Sequence, residues 1–365
     1  MLPFCIKSCG IFWKLERPMK KIFTITLLML SVVCVYAQND TISNRDTAAT
    51  SSKKITKKDY IPKFTATILG RYEYNTNLNA HHFELRHTRI GVSGSVHQMF
   101  SYMALVDLTY GGSFSPVAIF AQFKPVKGLS FLIGYDKMPF SSENLLSPYQ
   151  YYFSDKSFLT QKLTAWSDVG GVVCYKWDKK IPFEIKAGVF NAAGFSKQTQ
   201  FQKKLNYVAR ATVGLFKDFK LTLNYAAVKP EELRMHHFDV GAAYDLYNLH
   251  LETEYIYKWY KGSVCEPTQA FYGFGYYTFN VGKKWLDNVA LSLRYDAITP
   301  NCSGKLVEDE YVLDIYRQRI TAGFTMVFVQ SPCRAAIRLN YEKYFVHKGV
   351  ECTDDRFILE LVTHI

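Results

Sequence analysis

The sequence predicts an all-β fold: a transmembrane, antiparallel, up-and-down β-barrel of about 16 strands, with short periplasmic turns and long external loops. Three observations carry this. Sixteen runs alternate apolar and polar residues with a period of two. The connections between the runs alternate between short and long, and aromatic residues gather near the run ends.

Composition agrees with the pattern. The 365-residue chain is 48% hydrophobic and 16% aromatic, with 26 Tyr and 27 Phe, yet its mean hydropathy is only -0.09. A strand whose apolar side alternates with a polar side averages out in this way, so window hydropathy misses it.

Taken in order, the chain opens with an export signal. From Met19, "MKKIFTITLLMLSVVCVYAQ" offers two lysines, an apolar core from Ile22 to Val35 and a small-residue cleavage site at Val35-Tyr36-Ala37, the layout of a secretory signal peptide. Residues 1–18 are read as lying upstream of a start at Met19. No apolar run of ~20 residues follows, so no spanning helix is expected. Residues 38–62, polar and without heptads, read as a flexible periplasmic segment, and 63–365 as the barrel.

The expected strands are 64–76, 83–97, 100–110, 116–125, 129–139, 162–177, 181–192, 205–217, 219–229, 235–246, 249–260, 268–281, 286–298, 311–329, 334–346 and 355–365. In "LHLETEYIYKW", Leu249, Leu251, Tyr255, Tyr257 and Trp259 form one face, while His250, Glu252, Glu254 and Lys258 form the other. Connections such as "HQ", "DF" and "YN" are short, whereas "SSENLLSPYQYYFSDKSFLTQ" and "TPNCSGKLVEDE" are long. A β-sandwich, the competing all-β reading, has no reason to sort its loops by length. The final run alternates to its last residue. An open sheet would leave it as an exposed edge, so it is expected to pair with the first run and close the barrel.

Charge and cysteine say less. The net charge is +12, and setting aside the five basic and one acidic residues of 1–37 leaves 39 basic and 31 acidic residues, or +8. In an exported chain this excludes nucleic acid as the natural partner and favours anionic lipid or anionic solutes. Beyond the signal, Cys174, Cys265, Cys302, Cys333 and Cys352 are odd in number and lack metal-ligand spacing. Cys265, Cys302 and Cys352 fall on neighbouring long loops, where one disulfide among them is compatible with the geometry. His81-His82 and His236-His237 read as solvated loop residues rather than ligands. No nucleophile elbow, phosphate-cradling glycine loop or spaced acid pair is present, so neither a catalytic residue nor a cofactor is expected.

Three stretches carry a family resemblance: "FELRHTRIGVSGSV" (83–96), "IFAQFKPVKGLSFLIGYDKMPFSSENLLSP" (119–148) and "LTAWSDVGGVV" (163–173). In order and style this region resembles the phosphate-selective, O/P-type outer-membrane porins. The matching residues are Gly134, Lys137, Pro139, Phe140, Ser141 and Glu143, then Asp168 and Gly170. The resemblance implies a sixteen-stranded, water-filled barrel, usually trimeric, whose third long loop folds inward. That loop runs here from Phe140 to Gln161, and its "SPYQYYFSDKS" is too aromatic for a simple solvated loop. Phe140, Ser141, Glu143, Tyr149, Tyr151, Tyr152, Asp155 and Lys156 are therefore expected to constrict the pore. The alternative is a loop that caps the outside or makes subunit contacts.

Face assignment gives the lumen its chemistry. With Phe83, Leu85, Ile90 and Val92 outward, Arg86 and Arg89 both turn in, which requires a β-bulge between them. The same parity turns Arg71, Lys124, Lys186, Arg210, Arg294, Arg317, Arg319 and Arg338 inward, together with Lys220, Lys258 and Arg356. Each would cost ~2–4 kcal/mol facing lipid at mid-membrane. These cations are expected to form an anion path. Glu73, Glu84, Asp107, Asp136, Glu184, Asp239, Asp245, Glu252, Glu254, Asp296, Glu342 and Glu360 share the inward faces, so many of them should be paired. The reading is a passive channel for small polar or anionic solutes such as phosphate. Its other expected partners are outer-membrane lipid and lipopolysaccharide, the barrel-assembly machinery and a homotrimer. A closed, structural or adhesive barrel, or a barrel enzyme, is the alternative.

Overall fold

The computed structural model describes residues 60–109, 114–229, 233–308, 310–331, 333–346 and 352–365. The export signal and all but the end of the polar lead segment lie outside them. Sixteen strands form one closed antiparallel barrel. They are β1 (Lys63–Asn75), β2 (Ala80–His97), β3 (Phe100–Asp107), β4 (Ser115–Val126), β5 (Leu129–Lys137), β6 (Ser167–Trp177), β7 (Phe183–Phe190), β8 (Asn206–Phe216), β9 (Phe219–Val228), β10 (Met235–Leu246), β11 (Leu249–Tyr260), β12 (Thr268–Lys283), β13 (Leu286–Ile298), β16 (Arg317–Val329), β17 (Arg334–Val346) and β18 (Arg356–His364). The remaining two, β14 (Cys302–Val307) and β15 (Glu310–Leu313), pair with each other as a separate ribbon on the connection between β13 and β16.

Closure is made by β18 against β1, with Arg71 opposite Glu360 and Tyr74 opposite Phe357. This is the pairing that the last run's alternation anticipates. In β13, Asn288, Ala290, Ser292, Arg294 and Asp296 are buried inside, while Leu291 and Leu293 are exposed outside. Phe83 is 81% exposed and Ile133 73%. So much apolar surface on one continuous face marks a surface built for an apolar medium. The short turn between β4 and β5 needs left-handed backbone, which Gly128 (φ 86) supplies, and Gly282 (φ 61) supplies it at the register shift near the end of β12.

The expected bulge is present. Leu69 pairs with His87 and Gly70 with Leu85, so Arg86 is the extra residue in β2. It lets Leu85 and Ile90 both face out while Glu84 and Arg89 face in.

Two expected strands are shorter than the alternation indicated. Residues 162–166 belong to a helix and the turn that follows it, because Ser157 caps the segment 158–163 and Phe158, Leu159 and Leu163 bury on one side of it. Residues 311–313 pair with β14 rather than continuing β16, and the main-chain N–H of Asp314 donates to Asn301.

Candidate functional site

Between β5 and β6 the chain folds into the barrel. It carries two short helices, α1 (Ser142–Leu145) and α2 (Phe158–Leu163). Met138, Phe140, Phe153, Phe158, Leu159 and Leu163 are all at most 4% exposed and pack with Ile256, Tyr272, Phe274, Ile298 and Tyr344 of the wall. The third long loop therefore enters the lumen.

The motif that carried the family resemblance is what seats this loop. Gly134, at φ 148, lies so close to β4 that a Cβ would come within 2.3 Å of the Ile119 carbonyl. Lys137 Nζ donates to the carbonyls of Asn144 (2.6 Å) and Leu146 (2.8 Å). Ser141 turns the chain at φ 64 and ψ 144, a conformation that costs a non-glycine residue about 1–3 kcal/mol. Glu143 accepts from the Ser157 N–H (2.9 Å), the Ser157 hydroxyl (2.6 Å) and Arg294 (3.3 Å). The Asp168 carboxylate accepts from the main chain of Val169 and Ala193.

Guanidiniums fasten the rest of the loop through its carbonyls. Arg338 donates to Pro148 (3.2 Å) and Tyr149 (3.0 Å), Arg71 to Ser154 (2.8 Å), Arg294 to Asp155 (2.8 Å) and Arg319 to Lys156 (2.7 Å). Arg294 also stacks on Phe153, and Arg319 on Phe158, each 4.6 Å from the ring centre. Arg71, Arg294, Arg319, Arg338 and Arg356 together face Glu73, Glu143, Asp155, Asp296, Glu342 and Glu360. Five guanidiniums against six carboxylates leave no positive excess. Burial raises the Asp155 carboxyl, but Arg71, Arg356 and Arg86 outweigh it and hold that group well below the usual carboxylate range.

The opposite wall, β2 to β7, remains wet. The side chains of Arg86 and Glu84 are 41% and 36% exposed, and Lys186 and Glu184, ion-paired at 2.8 Å, are 28% and 29% exposed. Arg89 is held by Asp107 at 2.9 Å. The loop meets this wall through Asp155, 3.8 Å from Arg86. Lys156, whose amine lies 5.3 Å over the ring of its loop neighbour Tyr151, is within electrostatic reach of Arg89 and Arg86. Burial lowers the Lys156 amine to about 8. Glu143 opposes that shift, while Arg89 and Arg86 add to it.

Neither a protein-family model nor a curated protein sequence matches the chain. Solved structures do. OmpF of Salmonella typhi, in complex with daunomycin, superposes with a TM-score of 0.59 over 85% of this chain and 99% of that one, at 14% identity. An anion-selective porin from Comamonas acidovorans gives 0.57 over 83% and 98%, at 10% identity. The outer-membrane channel DcaP of Acinetobacter baumannii gives 0.57 over 85% and 99%, at 12% identity. The fold is that of the outer-membrane porins. The likeness extends to porins and channels generally and does not single out the phosphate-selective type.

Within the porin fold, the ten expected path residues divide. Arg71, Arg210, Arg294, Arg319 and Arg338 are at most 9% exposed. They face inward as expected but do not line water, because the loop lies on top of them. Arg210, for example, donates to Asn224 (3.1 Å) and to the α1 residue Ser142 (3.2 Å). Arg317 sits at the long-loop mouth between Asp314 (3.3 Å) and Asp354 (3.4 Å). Arg86, Arg89, Lys124 and Lys186 are on the wet wall.

The expected constriction residues divide in the same way. Phe140, Ser141 and Glu143 are buried in the seat. Tyr149 stacks on His364 (3.6 Å) and Tyr152 on His250 (4.7 Å), leaving Tyr151, Asp155 and Lys156 toward the wet wall. Lys137 belongs to the motif but not to the expected path or constriction residues, and the only sequence signal for Asn340, which accepts the Ser154 N–H at 2.7 Å, is its inward parity.

Two smaller groupings also take shape. Glu73, His82 and Glu84 bring ligand atoms within 4.8 Å of one another, but Glu73 is already committed to Arg71 and Arg356. The Cys265 and Cys302 thiols are neighbours. Burial, with the Cys302 thiol adding to it, pushes Cys265 up to about 12, and both cysteines are unbridged.

Proposed function

We propose that the chain is an outer-membrane porin whose inward loop narrows the lumen to a path along the β2–β7 wall, admitting small hydrophilic solutes with a bias to anions such as phosphate. One observation carries the anion bias: Lys156, over the Tyr151 ring, lies within electrostatic reach of Arg86, Arg89 and Lys137. The buried network beneath the loop carries no positive excess. Selectivity therefore rests chiefly on Arg86, Lys124 and Lys156, since Asp107 holds Arg89 and Glu184 holds Lys186. Lys137 and Lys156 are the two that the phosphate-selective resemblance and the loop geometry bring to the same point, and an ammonium binds phosphate as a point charge.

The apolar outer face would contact lipid and lipopolysaccharide, and an outer-membrane barrel requires the assembly machinery for insertion. A homotrimer is part of the same reading, supported by the family resemblance and by a structurally similar Vibrio cholerae protein, OmpT, described in a trimer form. Reversal potentials of purified protein in planar bilayers under a KCl gradient test the proposal, followed by conductance in phosphate, chloride and neutral sugars. A cation preference would overturn the anion bias. The dense packing of the loop favours a second reading, a barrel that the loop closes, and the absence of any conductance step in the same bilayers would select it.

A further inference from the structure

On the long-loop side, beside α2 of the inward loop, lies a cavity of about 490 Å³, within the range of small-molecule sites. Lys162 of α2, Trp166, Met235, His237, Lys258 and Asp314 contribute to its lining. Its most telling member is His237. The side chain is not a solvated loop group, as its sequence position suggests, but is fully buried in β10, and neither ring nitrogen has a hydrogen-bond partner among the described residues. A buried imidazole without partners is costly and calls for an explanation.

The neighbours of His237 offer none. Trp166 and Phe140 approach it edge to face, with ring centres 4.6 and 6.1 Å away. Across the ladder it faces Ala226 on one side and Lys258 on the other. The Lys258 ammonium donates to Asn301 Oδ1 and to the Cys302 carbonyl, both at 2.8 Å. An ammonium has three donors, so one remains. Lys162 and Asp314 neutralise each other at 2.9 Å, which leaves Lys258 as the uncompensated charge of the lining. Trp166 and Met235, with Val312 and Leu313 of β15, supply apolar wall.

We infer that this cavity binds a small organic carboxylate with an apolar body. One carboxylate oxygen takes the remaining Lys258 hydrogen, the other accepts from an N–H of His237, and the body lies against Trp166 and Met235. The inference does not rest on conduction, since a barrel closed by its loop would present the same cavity.

Isothermal titration of the full protein in detergent micelles with benzoate, benzyl alcohol and inorganic phosphate tests it. Benzoate should bind saturably at one site per chain, with the other two probes about tenfold weaker or worse, as expected for one lost charge-assisted hydrogen bond or one lost apolar contact surface. His237→Phe, which fills the same space, and Lys258→Met should each weaken benzoate by about tenfold. Lys258 also fastens the loop bearing Asn301, so if Lys258→Met fails to fold, His237→Phe decides. The inference is overturned if benzoate does not saturate, if phosphate binds as well as benzoate, or if His237→Phe binds benzoate like the parent.

Discussion

The two halves of the barrel wall use the same residue types to opposite ends. Along β13 to β18 and β1, Arg71, Arg294, Arg319 and Arg338 are desolvated beside one or more carboxylates, and each also donates to a loop carbonyl. Along β2 to β7, Arg86 and Lys186 keep partly exposed side chains, while Arg89 is largely buried against Asp107. An inward arginine is therefore no measure of selectivity. What matters is whether its charge is already answered, and by what. A guanidinium suits the dry half because its planar fork satisfies a carboxylate and a carbonyl together.

The contrast breaks most visibly at Arg319. Arg319→Met takes from buried Asp296 and Glu342 their 2.9 Å partner, leaving them Arg294 at 3.4 Å and Arg356 at 3.0 Å respectively, and frees the Lys156 carbonyl. A loss of about 3–5 kcal/mol is expected, read as a lower thermal transition, with a larger and noisier conductance as the loop lifts. An unchanged transition would mean the dry half is not what holds the loop.

Next comes Arg86→Glu on the wet wall. Its side chain is 41% exposed and 3.8 Å from its nearest acid, so stability should change by no more than about 1 kcal/mol, while the reversal potential moves toward cations. The reverse pattern, stability lost and selectivity kept, would erase the distinction between the halves.

Acidity sharpens the same point at the loop. The Lys156 amine is charged below about 8 and neutral above it. Anion preference should therefore fall as pH rises through that value, and Lys156→Gln should flatten the profile. The smallest effect is expected at Lys124, exposed on the wet wall. Lys124→Gln should leave stability within about 0.5 kcal/mol and shift the reversal potential only slightly.

Much of the fold was legible because a sheet with oil on one side and water or charge on the other must alternate strictly. Even the bulge at Arg86 could be read from a break in that rhythm. The boundaries that misled, at 162–166 and 311–316, are places where local alternation continues but the pairing partner changes: Leu163 turns into the lumen on α2, and Tyr311 pairs with Leu306. The serine cap at Ser157 was a readable signal that a helix begins at 158 and runs into the expected strand.

The chain by itself determined which side chains face in, which turns are short, and that cations and acids would share the interior, because these follow from residue order and the two-residue period of a strand. Only the tertiary structure decided which of those cations meet water. That choice is made by partners far apart in sequence, as with Arg71 and Glu360, 289 positions apart and 3.3 Å from one another. It is also made by one loop whose path across the lumen is set by packing that no local pattern encodes.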